Sequence, residues 1–273
     1  MSQNRITRKF EECKARGEAA FIPFVTAGDP DMVTTYDVVL TMADNGADII
    51  ELGIPFSDPL ADGPTIQASS QRALKAGANP EEILALVERV RQETECAIVL
   101  MGYYNPVLQY GLDSFAEKAY GAGVDGTIIP DLPLEEASVW LKQARRHGLS
   151  NIFLVAPNTP EERVGRISRR STGFLYYVSV TGITGARTEL PEELASGLRR
   201  VREISPVPVA VGFGISRPEQ VRALKDSADG IIVGSAIVKI LEKNAHARRA
   251  LLKEVGEFVE AIKQATLPTL QSE

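Results

Sequence analysis

Short β-branched apolar runs alternate along the chain with segments whose apolar residues recur every three or four positions. The runs are 19–25 (AAFIPFV), 48–53 (DIIELG), 97–102 (AIVLMG), 126–130 (GTIIP), 151–156 (NIFLVA), 174–179 (FLYYVS), 207–212 (VPVAVG) and 229–234 (DGIIVG). They read as eight strands. Helical periodicity covers 31–45, 80–94, 112–121, 133–147, 160–170, 190–204, 217–225 and 246–265. Start signals support several of these helices. Asn79-Pro80-Glu81-Glu82 supplies an N-cap, a first-turn proline and two first-turn acids. An amphipathic helix is also expected at the N-terminus, and short extra helices at 63–76 and 235–243, after strands two and eight.

Regular strand–helix alternation predicts an α/β fold with a parallel sheet. Eight units in 273 residues match a single (β/α)8 TIM barrel spanning 1–273. An open doubly wound sheet is the alternative. Against it stand the short, even strands and the lack of a GxGxxG opening the first unit. A weak repeat, a small residue, then Asp, then an Ile-rich run, recurs at Asp48, Asp125 and Asp229. These aspartates read as helix-to-strand turns on the barrel's stability face, away from chemistry.

Barrel sites are built from the loops that follow the strands. That rule turns sequence position into geometry. Two glycine-rich turns, Gly212-Phe213-Gly214 and Gly234-Ser235, follow strands seven and eight, and the second opens a short helix. Backbone N–H groups and a helix N-terminus at those loops suit a phosphate; the alternative is ordinary strand-to-helix turns. Gly182 and Gly185, after strand six, offer a further wall.

Glu51 is the sharpest candidate for proton chemistry. It shares one face of strand two with Ile49 and Gly53. If that face points inward, desolvation raises its pKa and suits it to general acid/base work; the other face would give it a salt bridge to an outer helix. Asp62, in the loop eleven residues on, is either a second catalytic acid or a turn and helix-cap residue before Gly63-Pro64. Asp58 carries the same ambiguity. Phe24, Tyr103, Tyr176 and Phe213 line an aromatic pocket or simply pack.

Composition narrows the chemistry further. The two histidines, His147 and His246, fall on predicted outer helices, and no lysine falls within or just after a predicted strand. A histidine metal site and a Schiff-base lysine are therefore not expected. Cys13 and Cys96 fit no metal or redox spacing and read as reduced fillers. A net charge of −6 without a basic cluster argues against nucleic acid and anionic membranes. No apolar run is long enough to span a bilayer, and the N-terminus lacks a signal-peptide segment, so a cytoplasmic location is expected. The residues by themselves describe a lyase or isomerase acting on a phosphorylated substrate with a hydrophobic part.

Several motifs are more specific. PFVTAGDP (23–30), ELGIPFSDPLADGPTIQ (51–67), MGYYNP (101–106), PDLPLEE (130–136), TGITGAR (181–187), GFGIS (212–216) and GSAIVKILE (234–242) resemble the alpha-subunit family of tryptophan synthase. The resemblance implies a barrel. It also implies cofactor-free retro-aldol cleavage of indole-3-glycerol phosphate to indole and glyceraldehyde 3-phosphate, in L-tryptophan biosynthesis. By the same resemblance Glu51 is the general acid/base, and Asp62 binds the indole N–H. Gly185, Gly214, Gly234 and Ser235 hold the phosphate, Phe24, Tyr103, Tyr176 and Phe213 surround the indole, and Thr184 sits in a closing loop that touches Asp62. The implied partner is a pyridoxal-phosphate beta subunit in an alpha2beta2 heterotetramer, docked on loops 54–62 and 104–111 and the turn 130–136, with Leu108 and Tyr110 as apolar contacts. A stand-alone indole-releasing lyase and a non-catalytic allosteric subunit are the competing readings.

Overall fold

A computed structural model describes residues 3–179, 192–212 and 214–268. Its strands are β1 (Ala20–Thr26), β2 (Ile49–Gly53), β3 (Ala97–Met101), β4 (Gly126–Ile128), β5 (Ser150–Ile152), β6 (Leu154–Val155), β7 (Leu175–Val178), β8 (Val209–Gly212) and β9 (Gly230–Val233). All pairings are parallel, in the order β5-β4-β3-β2-β1-β9-β8-β7-β6. The two outermost members are halves of the fifth predicted strand, interrupted at Phe153. Its first half pairs with β4 and its second with β7. The Tyr176 N–H also donates to the Phe153 carbonyl, at 2.9 Å. The sheet thus wraps onto itself as a (β/α)8 barrel. Strand stagger makes one strand change partners along its length.

The helices are α1 (Arg5–Ala15), α2 (Met32–Asp44), α3 (Pro64–Lys75), α4 (Pro80–Arg91), α5 (Tyr104–Tyr110), α6 (Leu112–Ala122), α7 (Ser138–His147), α8 (Glu161–Ser168), α9 (Glu192–Ile204), α10 (Pro218–Leu224), α11 (Ser235–Lys243) and α12 (Arg248–Thr266). The extra helices expected after strands two and eight are α3 and α11. Two elements differ from expectation. Residues 104–110, read as loop, form α5; Pro106 sits in its first turn, where a missing N–H costs no helix bond. Conversely, 133–137 are turn, and α7 begins five residues late, at Ser138.

Alternation along the strands sorts two cores. Ile22, Ile49, Val99, Ile128, Ile152, Tyr176 and Ile232 fill the barrel. Ile50, Leu52, Ile98, Leu100, Val211 and Ile231 face the helices. The interior filling is a packed core at the entry end, where α1 inserts Ile6, Phe10 and Cys13 as a plug. Burying each large aliphatic chain contributes about 1.5–3 kcal/mol.

The repeated aspartates share one structural job. Oδ2 of Asp48 accepts from the Phe21 N–H at 2.8 Å, that of Asp125 from Ile98 at 2.9 Å, and that of Asp229 from Val209 at 2.8 Å. Each satisfies a backbone donor at the start of a neighbouring strand. Each is also held by a cation: Lys263, Arg91 and Arg5, and Arg202, respectively.

Candidate active site

β2 carries Glu51 into the barrel between Phe24 of β1 and Val99 of β3, its register partners. The inward face is therefore the correct one for Ile49 and Glu51. Glu51 is 1% exposed, and its Oε2 has no hydrogen-bond partner among the described residues. An unpaired carboxylate in such a place favours its neutral form. Burial first, and the charge of Asp62 second, push its pKa up to about 8.

The loop after β2 returns Asp62 to the same cavity. Three bonds set the backbone there. The Asp62 N–H donates to the Pro59 carbonyl at 3.0 Å, the Ala61 N–H to the Tyr103 hydroxyl at 2.9 Å, and Gln67 Nε2 to the Asp62 carbonyl at 2.9 Å. Gly63, not Asp62, is the N-cap of α3, and it makes no side-chain cap bond. The cap-residue alternative for Asp62 therefore falls: its carboxyl is left for the cavity. Burial raises that carboxyl to about 6, against a smaller downward pull from the Tyr103 hydroxyl.

The cavity is lined by Phe24, Glu51, Asp62, Gly63, Ile66, Met101, Tyr176, Gly214, Ile232, Gly234 and Ser235. Of the residues singled out in the sequence, Glu51, Asp62, Phe24, Tyr176, Gly214, Gly234 and Ser235 are thus brought together. The Phe24 ring sits against Gly53 and Gly234, where any side chain would press on it. Tyr176 lies over Gly212; burial and the nearby Glu51 and Asp62 raise its pKa well above the ordinary value, so the phenol stays neutral. Gly214 adopts φ +82°, open to glycine. Gly234 caps α11: its carbonyl accepts the Ile237 N–H at 2.9 Å, which leaves the N–H groups of Ser235 and Ala236 at the helix start for a ligand.

Tyr103 is placed differently from the other aromatics. It lines an adjoining small cavity on the far side of Asp62, shared with Thr26, Ile54 and Ser70. There its ring stacks on Phe56, with centroids 5.3 Å apart. Thr184, Gly185 and Phe213 lie outside the described residues. Sequence reasoning passed over Met101, Ile66 and Ile232. Met101 and Ile232 were findable, since each continues the inward face of its strand by twos; Ile66 depends on how α3 docks.

Among the described residues no histidine, lysine or cysteine lines the cavity. His147 bonds Asp113 on an outer helix, and His246 is exposed. Burial pushes both thiols, Cys13 and Cys96, up to about 12, so they stay protonated. Among the described residues no cluster of three metal-ligating side chains occurs, and no helix is long and apolar enough to cross a membrane. A larger hollow of about 690 Å³ opens at the opposite end of the barrel, beside α1. Within its walls Arg202 pairs with Asp229 and Lys225 with Asp226.

A family model described as "Tryptophan synthase alpha chain" matches residues 10–267. The chain belongs to the tryptophan synthase alpha-chain family. Its relatives include the alpha chains of Caldanaerobacter subterraneus, 52% identical over 96% of this chain and 99% of that one, and of Geobacter sulfurreducens, 50% identical over 96% and 98%. Among solved structures, the alpha subunit from Legionella pneumophila superposes with a TM-score of 0.90 at 38% identity, covering 97% of this chain and 99% of that chain. A chain of the tryptophan synthase complex from Pyrococcus furiosus gives 0.82 at 43% identity, covering 90% and 98%. As a member of this family the protein is a carbon–carbon lyase. It cleaves indole-3-glycerol phosphate to indole and glyceraldehyde 3-phosphate.

Proposed function

We propose that Glu51 and Asp62 divide the work of this cleavage according to their surroundings. The observation that carries the reading is one cavity holding two carboxyls, pushed to about 8 and about 6, on either side of neutrality. Two acids tuned apart take different roles. Near neutral pH Glu51 holds its proton and Asp62 has lost its own. Glu51 delivers its proton to C3 of the indole ring, which places positive charge on the ring nitrogen. Asp62 accepts the ring N–H and stabilises that charge in a poorly solvated site, where electrostatics count most. The Glu51 carboxylate then takes the proton from the side-chain hydroxyl next to the ring. The O–H electrons form the aldehyde C=O, the C–C bond breaks, and its electrons return to the ring. Glu51 ends the cycle protonated, so no outside acid or base is consumed.

In this reading the phosphate sits at the start of α11, on Gly234 and Ser235, with Gly214 beside it, and Gly185 adds to the cradle. Phe24 and Tyr176, with Phe213, hold the flat ring. Thr184 closes over Asp62. Tyr103 meets the ring less directly than the other aromatics and holds Asp62 from behind.

We further propose that the chain pairs with a pyridoxal-phosphate beta subunit as an alpha2beta2 heterotetramer. Two of the solved relatives, from Mycobacterium tuberculosis and Pyrococcus furiosus, are described as tryptophan synthase and as its complex. Leu60, 93% exposed in the loop before Asp62, and Leu108, 47% exposed on α5, offer apolar contacts to the beta subunit. One assay tests the whole reading: indole formation from indole-3-glycerol phosphate by the purified chain, with and without beta subunit. Strong activation by the partner is expected. Full activity alone identifies a stand-alone lyase, and no indole from the assembled complex identifies a non-catalytic subunit.

A further inference from the structure

Two helices start at the cavity. α3 begins immediately after Asp62, and α11 begins at the proposed phosphate cradle; Gly63, Gly234 and Ser235 all line the cavity. The helices pack against each other. Arg72, on α3, lies eight residues beyond Pro64, about 12 Å along the helix. Glu242, on α11, lies seven residues beyond Ser235, about 10 Å along. Arg72 Nη1 donates to Glu242 Oε1 at 3.0 Å, so the two helices are bolted together roughly one helix length behind the site.

The same guanidinium is itself fixed. Its Nε and Nη2 grip Asp29 Oδ1 and Oδ2 at 2.8 and 2.7 Å. Asp29 is 1% exposed, in the loop after β1. Such a two-pronged fork fixes direction as well as distance. One turn earlier on α3, Ser69 Oγ and Thr26 Oγ1 share a buried 2.6 Å hydrogen bond. α3 is thereby pinned to the barrel rim at two points, and α11 is held to α3 through Arg72.

We propose that Arg72 is a positioning residue that sets the separation between the Asp62 end and the phosphate end of the substrate site. This rests on the roles proposed above for Asp62 and α11. A ligand that spans both ends gains from having them at the correct spacing, because its second half binds at high effective concentration. A ligand that occupies one end does not sense the spacing.

The test is calorimetric titration of the full chain with three probes: indole, inorganic phosphate, and a non-cleavable indole bearing a three-carbon phosphate tail. Arg72→Lys, which keeps the charge but loses the fork, is expected to weaken the joined probe about tenfold. Glu242→Ala, at an exposed position that leaves the Asp29 fork intact, is expected to weaken it about threefold. Indole and phosphate alone should bind both variants as they bind wild type. If Arg72→Lys fails to fold, Glu242→Ala carries the test. Unchanged affinity for the joined probe in folded variants overturns the proposal, as does equal weakening of all three probes, which would mark a merely structural residue. Failure of the wild type to prefer the joined probe over both halves would instead strike the site reading itself, and this inference with it.

Discussion

The Tyr176 phenol occupies the space into which any side chain at Gly212 would project. Tyr176 is on β7 and Gly212 ends β8, its hydrogen-bonded neighbour. The glycine therefore leaves room for the phenol end of Tyr176 inside the barrel. Gly212→Ala should force the ring toward the cavity and cost about 1–3 kcal/mol by overpacking. Turnover should fall with it. Tyr176→Leu frees that space, so the double variant should lose less stability than the two single losses added. Thermal unfolding of all four proteins measures the coupling, and strict additivity would refute it.

Replacing Glu51 with Gln should lower turnover by about 10²–10⁴-fold, while inorganic phosphate still binds. Stability should move the other way. The carboxyl's ordinary value is about 4.5, and burial raises it to about 8 in the fold. The folded state therefore keeps a proton that the unfolded state releases, and stability falls as pH rises from about 4.5 to 8. Glu51→Gln removes that loss. Its melting temperature should gain on wild type at pH 8.5 and not at pH 4.

The pH dependence of kcat/KM should be bell-shaped. Asp62 must be ionised, giving an acid limb near 6, and Glu51 must be protonated, giving an alkaline limb near 8. The limbs belong to the coupled pair as well as to each residue. Asp62→Asn should cripple turnover and abolish the acid limb in what remains; its melting temperature should not fall, because Gly63 caps α3, and should gain on wild type above about pH 6, where burial of the ionised carboxyl costs stability. A profile with its acid limb intact would remove Asp62 from catalysis.

The Tyr103 hydroxyl supports Asp62 by accepting the Ala61 N–H and by bonding the Asp62 carboxyl, which lowers that group's pKa. Tyr103→Phe should therefore move the acid limb to higher pH and reduce kcat/KM by about tenfold, the worth of one such bond. An unmoved limb would show that the tyrosine only packs.

Lys263 pairs with the buried Asp48 at 2.8 Å, at the end of the barrel away from the cavity. Lys263→Met leaves that carboxylate without its cation and should cost about 3 kcal/mol. At a temperature where the variant is folded, kcat/KM should match wild type. A specific loss of activity would mean that the stability face reaches the site.

Local pattern carried much of this molecule. Strand spacing, the two-residue period that turns Ile49 and Glu51 inward, and the glycines beside the cavity are all properties of short stretches. They follow from backbone geometry that each stretch imposes on itself. Other features need partners far along the chain. Phe153 interrupts the fifth strand because the closing barrel changes that strand's partner. Tyr103 reaches Asp62's loop from the turn after β3, and Gly63 displaces Asp62 as the cap, which frees its carboxyl. Arg72 meets Asp29 and Glu242, 43 and 170 residues away. The altered acidity of Glu51 belongs to this second group as well. A period-two pattern can aim a carboxyl inward, but its burial also needs Tyr176 and Ile232, from strands that come round to β2 only when the barrel closes.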